Sequence, residues 1–125
     1  MANKLLPYSL LTVATLSGFN YTAHYQHPTN PKLPYITFIH GFPSSAYDWR
    51  HQVEFFQDKG YGVIAPDTLG YGQTDRPTDV NDYKVKTIAD SIMEVVDKIA
   101  GKEAKVHGVG HDWYDSSGSD IGFSN

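Results

Sequence analysis

The most reactive arrangement in the sequence is a carboxylate that follows a short apolar segment. Asp112 lies in the sequence Gly110-His111-Asp112-Trp113. A small residue two positions before a nucleophile allows the sharp turn that directs its side chain into a cleft. A carboxylate held in this way can attack an electrophilic carbon of an epoxide or an alkyl halide and form an ester intermediate. The alternative is an ordinary loop aspartate that caps a helix.

The sequence HGFP, from His40 to Pro43, could supply hydrogen-bond donors to the same reaction. A glycine after a buried strand allows the backbone N–H groups of the next turn to face the cleft, where they can bind an oxyanion. The candidate donors are the backbone N–H groups of Phe42 and of Trp113, which follows the candidate nucleophile. When such a motif occurs alone, a plain histidine–glycine turn is the common alternative.

A third segment, DTLGYGQT from Asp67 to Thr74, places two glycines in a loop after a strand. A phosphate-binding loop would need a Lys-Ser or Lys-Thr pair after the glycines, and none follows here. The GVG at Gly108 to Gly110 lacks the third glycine of a dinucleotide-binding fingerprint. We therefore expect a structural turn and no cofactor.

The histidines do not predict a metal site. His107 and His111 have a spacing that binds metal on a helix, but here they fall across a strand and its turn and should not converge. The chain has no cysteine, which excludes a disulfide, a thiolate metal site and a cysteine nucleophile and favours an intracellular protein. We expect the other unassigned histidines at the surface: His24, His27 and His51.

Each of the three segments follows a predicted strand of an α/β sheet. The strands are the apolar runs Tyr35–Ile39 and Tyr61–Ala65 and the segment Lys105–Val109. Two segments with helical spacing, Ala46–Lys59 and Val85–Ala100, connect them. Crossovers of this length make strands parallel, and ligands bind at the carboxyl ends of such strands.

An antiparallel hairpin precedes this unit. Leu10–Leu16 and Phe19–Tyr25 have strand patterns, and Ser17-Gly18 between them is a turn signal. The predicted order is therefore a β-hairpin followed by parallel β-α-β-α-β, in an open α/β sheet.

Composition and charge exclude several classes of partner. The 125 residues suffice for one domain, and a hydrophobic fraction of 40% supports a packed core. A net charge of −4 gives no basic field for nucleic acid or for a membrane surface. The first 18 residues read better as a strand than as a signal peptide, because Pro7, Tyr8, Ser9 and Thr12 interrupt the apolar run. We expect a cytoplasmic protein that binds neither nucleic acid nor a membrane.

The three strand ends, taken together and in this order, resemble the α/β-hydrolase fold and, within it, the epoxide hydrolases. That family carries His-Gly-x-Pro after its third strand, Asp-x-x-Gly-x-Gly-x-Ser/Thr after its fourth and Gly-x-Asp-Trp after its fifth. The resemblance extends from Leu10 to Trp113. It implies that residues 1–113 are the N-terminal portion of an incomplete α/β-hydrolase domain, with about five of the family's eight strands.

The resemblance also implies roles for individual residues. Asp112 would be the nucleophile that opens an epoxide to a diol through an ester intermediate. The backbone N–H groups of Phe42 and Trp113 would form the oxyanion hole, and His40 would support the turn. The loop after the fourth strand would be shaped by Asp67, Gly70 and Gly72.

Two other hydrolase classes are alternatives to the epoxide hydrolases. Haloalkane dehalogenases share the Asp-Trp pair, but they typically carry a polar or acidic residue after His-Gly. This chain has Phe42 followed by Pro43 there, which favours the epoxide hydrolases. A serine esterase would need serine at position 112, where this chain has Asp112.

The sequence departs from the family pattern after Trp113. The family continues with glycine, whereas this chain has Tyr114 and then DSSGSDIGFSN, which shows no helical periodicity. We predict that residues 114–125 form a divergent, disordered tail. The codons of Trp113, Tyr114 and Asp115 must read TGGTAYGAY, which contains a sequence like the 5′ boundary of an intron. Our hypothesis is that the tail is translated intron; an alternative exon or a gene-model error would look the same.

The family features that would complete the reaction are absent from the sequence. They are the histidine that activates water, the acidic residue that orients it and the cap tyrosines that protonate the epoxide oxygen. General acid–base help is worth about 10²–10⁴-fold, so we expect a truncated chain with negligible turnover. The partner of the full-length relative would be a small-molecule epoxide or a related electrophile. The alternative is a non-enzymatic fragment that is degraded or that self-associates through the exposed edge of Lys105–Val109.

Overall fold

The described part of the chain folds around one five-stranded mixed sheet. The computed structural model describes residues 9–40 and 46–110. The strands are β1 (Ser9–Ala14), β2 (Asn20–Gln26), β3 (Tyr35–Ile39), β4 (Gly62–Pro66) and β5 (Val106–Gly110). Their order across the sheet is β1-β2-β4-β3-β5. The elements have the order predicted from the sequence, a β-hairpin followed by β-α-β-α-β.

The strand directions follow the predicted topology. β1 is antiparallel to β2, and β2 is antiparallel to β4. β3 is parallel to both β4 and β5, as expected for strands joined by helical crossovers. β1 was predicted to continue to Leu16 but ends at Ala14, because the chain turns where the Gly18 N–H donates to the Thr15 carbonyl at 3.0 Å.

Two helices connect the parallel strands. α1 (Arg50–Asp58) is preceded by a 3-10 turn (Ala46–Trp49), so the helix predicted from Ala46 becomes α-helical only at Arg50. α2 (Val85–Ala100) has the predicted bounds, and Gly101 ends it with a φ of +88°. Because a residue with a Cβ is strained in that conformation, glycine is the natural stop signal here.

The two helices cover opposite faces of the sheet. Neighbouring strand residues point to opposite faces, and they divide between two apolar clusters. In the first, α2 packs on strand residues that include Tyr21 and Ile64. In the second, Val53 of α1 packs with Phe38 and Val63. The α2 side of the first cluster is the predicted apolar face of that helix: Ile88, Ile92, Val95, Val96 and Ile99.

β5 lies at one edge of the described sheet. β3 and β4 are buried along their whole lengths, as predicted for strands covered on both faces. β5 is mostly exposed, and Val109 retains 39% of its accessible surface. Within residues 9–40 and 46–110, β3 is the only strand that pairs with β5.

Several predictions fall on residues that the structure does not describe. The predicted tail, residues 114–125, and the predicted domain limit at residue 113 lie outside the described residues. Within the described ranges, no helix is both long and apolar enough to cross a membrane.

Candidate functional site

The carboxyl ends of three parallel strands lie side by side at one edge of the sheet. β3 ends at Ile39 and is followed by His40, and β4 ends at Pro66 and is followed by Asp67. β5 ends at Gly110, which is in register with Ile39 of β3. The three segments with candidate chemistry therefore follow adjacent strand ends, where ligands bind in open α/β sheets.

Three of the predicted site residues lie outside the described residues. They are Phe42, Asp112 and Trp113, and His111 of the rejected histidine pair is also among the undescribed residues. Their assigned roles remain predictions. The described part of the site consists of His40, the start of the loop that follows β4 and the last residue of β5.

His40 is a buried histidine whose ring is held by the loop after β4. It retains only 1% of its accessible surface. Its Nε2 accepts a hydrogen bond from the Thr68 backbone N–H at 2.9 Å and lies 3.1 Å from the Thr68 hydroxyl oxygen. Because a backbone N–H can only donate, this bond assigns an unprotonated Nε2 and places the ring proton on Nδ1. The Nε2 lone pair is occupied, so His40 is unsuited to act as the base that activates water.

Asp67 is the buried carboxylate at the end of β4, with 4% of its surface accessible. Its Oδ1 accepts the backbone N–H of Ala46 at 3.0 Å, and its Oδ2 accepts that of Gln73 at 3.3 Å. Ala46 is 21 residues away in sequence and begins the 3-10 turn before α1. A carboxylate that accepts backbone N–H bonds compensates for the loss of water around its charge. Asp67 therefore links the segment before α1 to the loop after β4, at the edge of the sheet where the strands end.

The loop after β4 is fixed to β2 as well. The Thr74 hydroxyl donates to the Asp67 carbonyl at 2.6 Å and accepts the Thr22 N–H at 2.9 Å. Asp75 accepts the Asn20 N–H through its carboxylate at 2.7 Å and donates its own N–H to the Asn20 carbonyl at 3.0 Å. The loop is thus rigidly attached to the neighbouring antiparallel strand, which supports its expected structural role.

Gly70 and Gly72 both adopt positive φ in this loop, at +90° and +55°. A Cβ on Gly70 would lie 3.0 Å from the ring of Tyr83, and a Cβ on Gly72 would overlap the carboxylate of Asp67. The two glycines of DTLGYGQT are therefore required by the path of this loop and by the side chains beside it.

Tyr71 is a residue of this site that the sequence analysis did not identify. Its ring packs edge-on against His40, with ring centroids 5.5 Å apart and an interplanar angle of 86°. Burial and, to a smaller extent, the nearby Tyr83 raise the pKa of the Tyr71 phenol. The available signal was a tyrosine between the two glycines of a strand-end loop.

His24 is buried, which contradicts the prediction that it lies at the surface. It is located on β2 and retains 7% of its surface, and its buried Nδ1 has no hydrogen-bond partner among residues 9–40 and 46–110. The surface prediction rested on the lack of an evident partner for His24 in the sequence. In the structure Tyr21 and Ala23 belong to the cluster under α2, and His24 lies on the opposite face of β2. The loop after β4 bonds to that opposite side of β2 at Thr22, so this end of the strand is covered on both faces.

Acid should destabilise the fold through His24. Burial lowers the pKa of His24, and the nearby Asp67 charge opposes that shift only in part. The unfolded chain, with a histidine pKa of about 6.5, therefore binds the proton first. The free energy of unfolding should fall as the pH drops below about 6.5, by at most about 1.4 kcal/mol per pH unit from this group, until the lowered folded pKa is reached.

Urea unfolding at a series of pH values measures this effect. The substitution His24→Gln should flatten the pH dependence between pH 5 and 7 (roughly the range around the unfolded pKa). His51→Gln, which removes an exposed imidazole from α1, is the matched control. An unchanged slope in His24→Gln would show that another group controls the acid response.

No metal centre is present in the described part of the site. Among residues 9–40 and 46–110, no group of three or more His, Cys, Asp or Glu residues could hold a metal ion. His107, one of the two histidines whose spacing was considered, is exposed on β5.

A family model described as the alpha/beta hydrolase fold matches residues 34–113. The AB hydrolase superfamily protein YfhM of Bacillus subtilis is 39% identical over 80 residues, which are 64% of this chain and 27% of that protein. Epoxide hydrolase A of Mycobacterium tuberculosis is 39% identical over 83 residues, which are 66% of this chain and 25% of that protein. The chain thus spans about a quarter of the length of these curated relatives.

Solved structures show the same similarity. The epoxide hydrolase VrEH1 from Vigna radiata superposes with a TM-score of 0.72 at 30% identity, over 84% of this chain and 31% of that one. Epoxide Hydrolase A from Mycobacterium thermoresistibile gives a TM-score of 0.71 at 32% identity, again over 84% and 31%.

Proposed function

The chain belongs to the α/β-hydrolase fold family, and from this premise we propose that it carries the nucleophile and the oxyanion-hole donors of an epoxide-hydrolase-like reaction. The observation that carries the proposal is the juxtaposition of three motif-bearing strand ends at one edge of the sheet. Relatives named epoxide hydrolase support it, at 33–42% identity over this segment.

In the proposed first step, a carboxylate oxygen of Asp112 attacks one carbon of the epoxide. A C–O bond forms to the enzyme as the ring C–O bond breaks, and the epoxide oxygen keeps the electron pair as an alkoxide. That alkoxide takes a proton from a water molecule to become a hydroxyl group and leaves hydroxide in solution. The product of this step is an ester between Asp112 and the opened substrate.

In the second step, water adds to the carbonyl carbon of the ester. The negative charge that develops on the carbonyl oxygen would be bound by the backbone N–H groups of Phe42 and Trp113. Collapse of this intermediate releases the diol and restores the Asp112 carboxylate. The step needs a base to remove a proton from the water.

The two described histidines on these strands and their ends are unsuitable as that base. His40 uses Nε2 to accept the Thr68 N–H, and His107 is exposed on β5. Asp67 accepts two backbone N–H bonds with its carboxylate. We therefore propose that an ester formed on Asp112 is hydrolysed slowly when these described residues alone are available, because general acid–base help is worth about 10²–10⁴-fold and none of them can supply the base.

Covalent labelling tests the proposal. We expect the chain, incubated with styrene oxide, to gain one substrate mass in intact-protein mass spectrometry, and peptide mapping to locate it on Asp112. The substitution Asp112→Ala should abolish the adduct. Asp115→Ala removes a carboxylate three residues away in the same segment and should leave the adduct intact.

Three results would contradict the proposal. Adducts distributed over several carboxylates, and equally abundant in Asp112→Ala, would indicate nonspecific alkylation without a formed nucleophile site. Diol released in many turnovers per chain would disprove the proposed slow hydrolysis. Labelling by an alkyl bromide in place of the epoxide would instead favour the haloalkane-dehalogenase-like alternative.

A further inference from the structure

His24 lies beside the bonds that attach the loop after β4 to β2. It is opposite Ala65 of β4, which is two residues before Asp67. Two residues before His24 on β2, the Thr22 carbonyl accepts the Asp67 N–H at 2.9 Å, and the Thr22 N–H donates to the Thr74 hydroxyl oxygen at 2.9 Å. His24 and Thr22 face the same side of β2, because neighbouring strand residues alternate. The histidine is therefore next to the start of this loop.

Asp67 supplies the charge that acts on His24. The neighbours of His24 across the strands, Leu10 of β1 and Ala65 of β4, are uncharged. The described members of the apolar cluster that contains Ala65 carry no charge either. Burial lowers the pKa of His24, and the charge of Asp67 opposes this shift in part. The imidazole is therefore mostly uncharged at neutral pH, and its proton uptake is coupled electrostatically to Asp67.

Protonation changes what the His24 ring requires. A neutral imidazole has one N–H donor and one acceptor nitrogen, whereas the protonated ring has two donors and a positive charge. His24 Nδ1 is buried and has no hydrogen-bond partner within residues 9–40 and 46–110. A charged donor that is buried without an acceptor is especially costly. The protonated ring therefore favours any movement that brings an anionic acceptor to it.

The Asp67 carboxylate is that acceptor, but both of its oxygens already accept backbone N–H groups. Ala46 donates to Oδ1 at 3.0 Å and Gln73 to Oδ2 at 3.3 Å. The Gln73 bond is the weaker of the two, since most N–H···O bonds measure about 2.7–3.2 Å between the heavy atoms. Oδ2 is therefore the oxygen that can turn away from its donor at the smaller cost.

We propose that His24 is a proton switch for the loop after β4. When the imidazole takes up a proton, its charge draws the Asp67 carboxylate toward β2 and weakens the bond from the Gln73 N–H. The start of the loop then loosens at the edge of the sheet where three strands end, while the sheet itself stays folded. The switch uses described residues only and does not depend on the reaction proposed for Asp112.

An NMR titration of the ¹⁵N-labelled 125-residue chain, from neutral pH down to the onset of acid unfolding, tests the proposal. It follows the imidazole resonances of His24 and the Gln73 amide resonance together. Both should shift with one shared midpoint, below the ordinary histidine value of about 6.5 because the ring is buried. The Asn20 amide, which donates to the Asp75 carboxylate of the same loop, should not shift with that midpoint.

Three variants separate the switch from a general response to acid. His24→Gln should abolish the pH-dependent shift of the Gln73 amide. His51→Gln, which removes an exposed imidazole from α1, is the matched control and should leave that shift intact. Asp67→Asn should lower the midpoint of His24, because the attraction that opposes the effect of burial is lost and coupling between two sites is reciprocal.

Each contrary outcome overturns the switch. A Gln73 resonance that stays constant while His24 titrates would show that the loop does not respond to this proton. A shift that persists in His24→Gln would assign the response to another group. If the chain unfolds before His24 takes up a proton, the acid response is global unfolding alone and no switch operates within the fold. Should Asp67→Asn fail to fold, the comparison of His24→Gln with His51→Gln decides the question.

Discussion

Replacing Gly72 with alanine should lower the free energy of unfolding by about 3–5 kcal/mol, a large part of the stability of a small domain. Gly72 has a φ of +55°, a conformation that costs a residue with a Cβ about 1–2 kcal/mol. The larger effect is steric. A Cβ at this position would lie 2.6 Å from Oδ1 of Asp67 and closer still to Cγ and Oδ2.

The Asp67 carboxylate has no simple way to avoid the added methyl group. It is buried, and it accepts the backbone N–H groups of Ala46 and Gln73. If it moves, these donors lose their partner, and each buried, unsatisfied N–H costs about 1–3 kcal/mol. If the glycine backbone moves instead, the Gln73 and Thr74 bonds to Asp67 and β2 are distorted.

Gly18→Ala is the matched control for this experiment. Gly18 also has a positive φ, of +95°, but a Cβ there would meet no atom of the described residues within 4 Å. Gly18→Ala should therefore lower the free energy of unfolding only by the cost of the backbone strain, about 1–2 kcal/mol. Urea unfolding followed by circular dichroism measures both variants. Equal destabilisation would mean that the contact with Asp67 contributes nothing and that φ alone explains the glycine at position 72.

The sequence predicts the framework of this protein well because its signals are local. α2 was predicted with the bounds that the structure shows, since an apolar stripe at helical spacing ends at Gly101, where φ is positive. β3 was also predicted with its observed bounds, as a short apolar run between a proline-rich loop and HGFP. Periodicity and stop signals suffice for such elements.

The internal support of the site was not predictable in the same way. The bond from Ala46 to Asp67 joins residues 21 apart, and the bond from Thr68 to His40 joins residues 28 apart. Neither separation corresponds to a period, so only the folded sheet brings the partners together. The same limitation explains the wrong placement of His24: strand alternation predicts which residues share a face, but not whether a distant loop covers that face.

The exposed β5 edge leads to the last prediction, that two copies of the 125-residue chain associate through it. β5 has the sequence VHGVG, which contains no proline and no Asp, Glu, Lys or Arg, the residues that usually protect an edge strand. Pairing of β5 with β5 of a second copy around a two-fold axis would be antiparallel and would use the backbone groups that face away from β3. Val109, which is 39% exposed, would be covered by this contact.

Sedimentation velocity over a concentration series measures the association, and a charge placed on the edge should prevent it. Val109→Lys would place one ammonium group from each copy in the contact, and like charges at an interface cost several kcal/mol, so the dimerisation constant should fall at least about tenfold. Leu16→Lys adds the same charge at the β1–β2 turn, where Leu16 is 94% exposed, and should leave the dimer unchanged. A monomer at all concentrations would disprove the association. Equal weakening by both lysines would assign it to net charge or to another surface rather than to β5, because only Val109 lies on that edge.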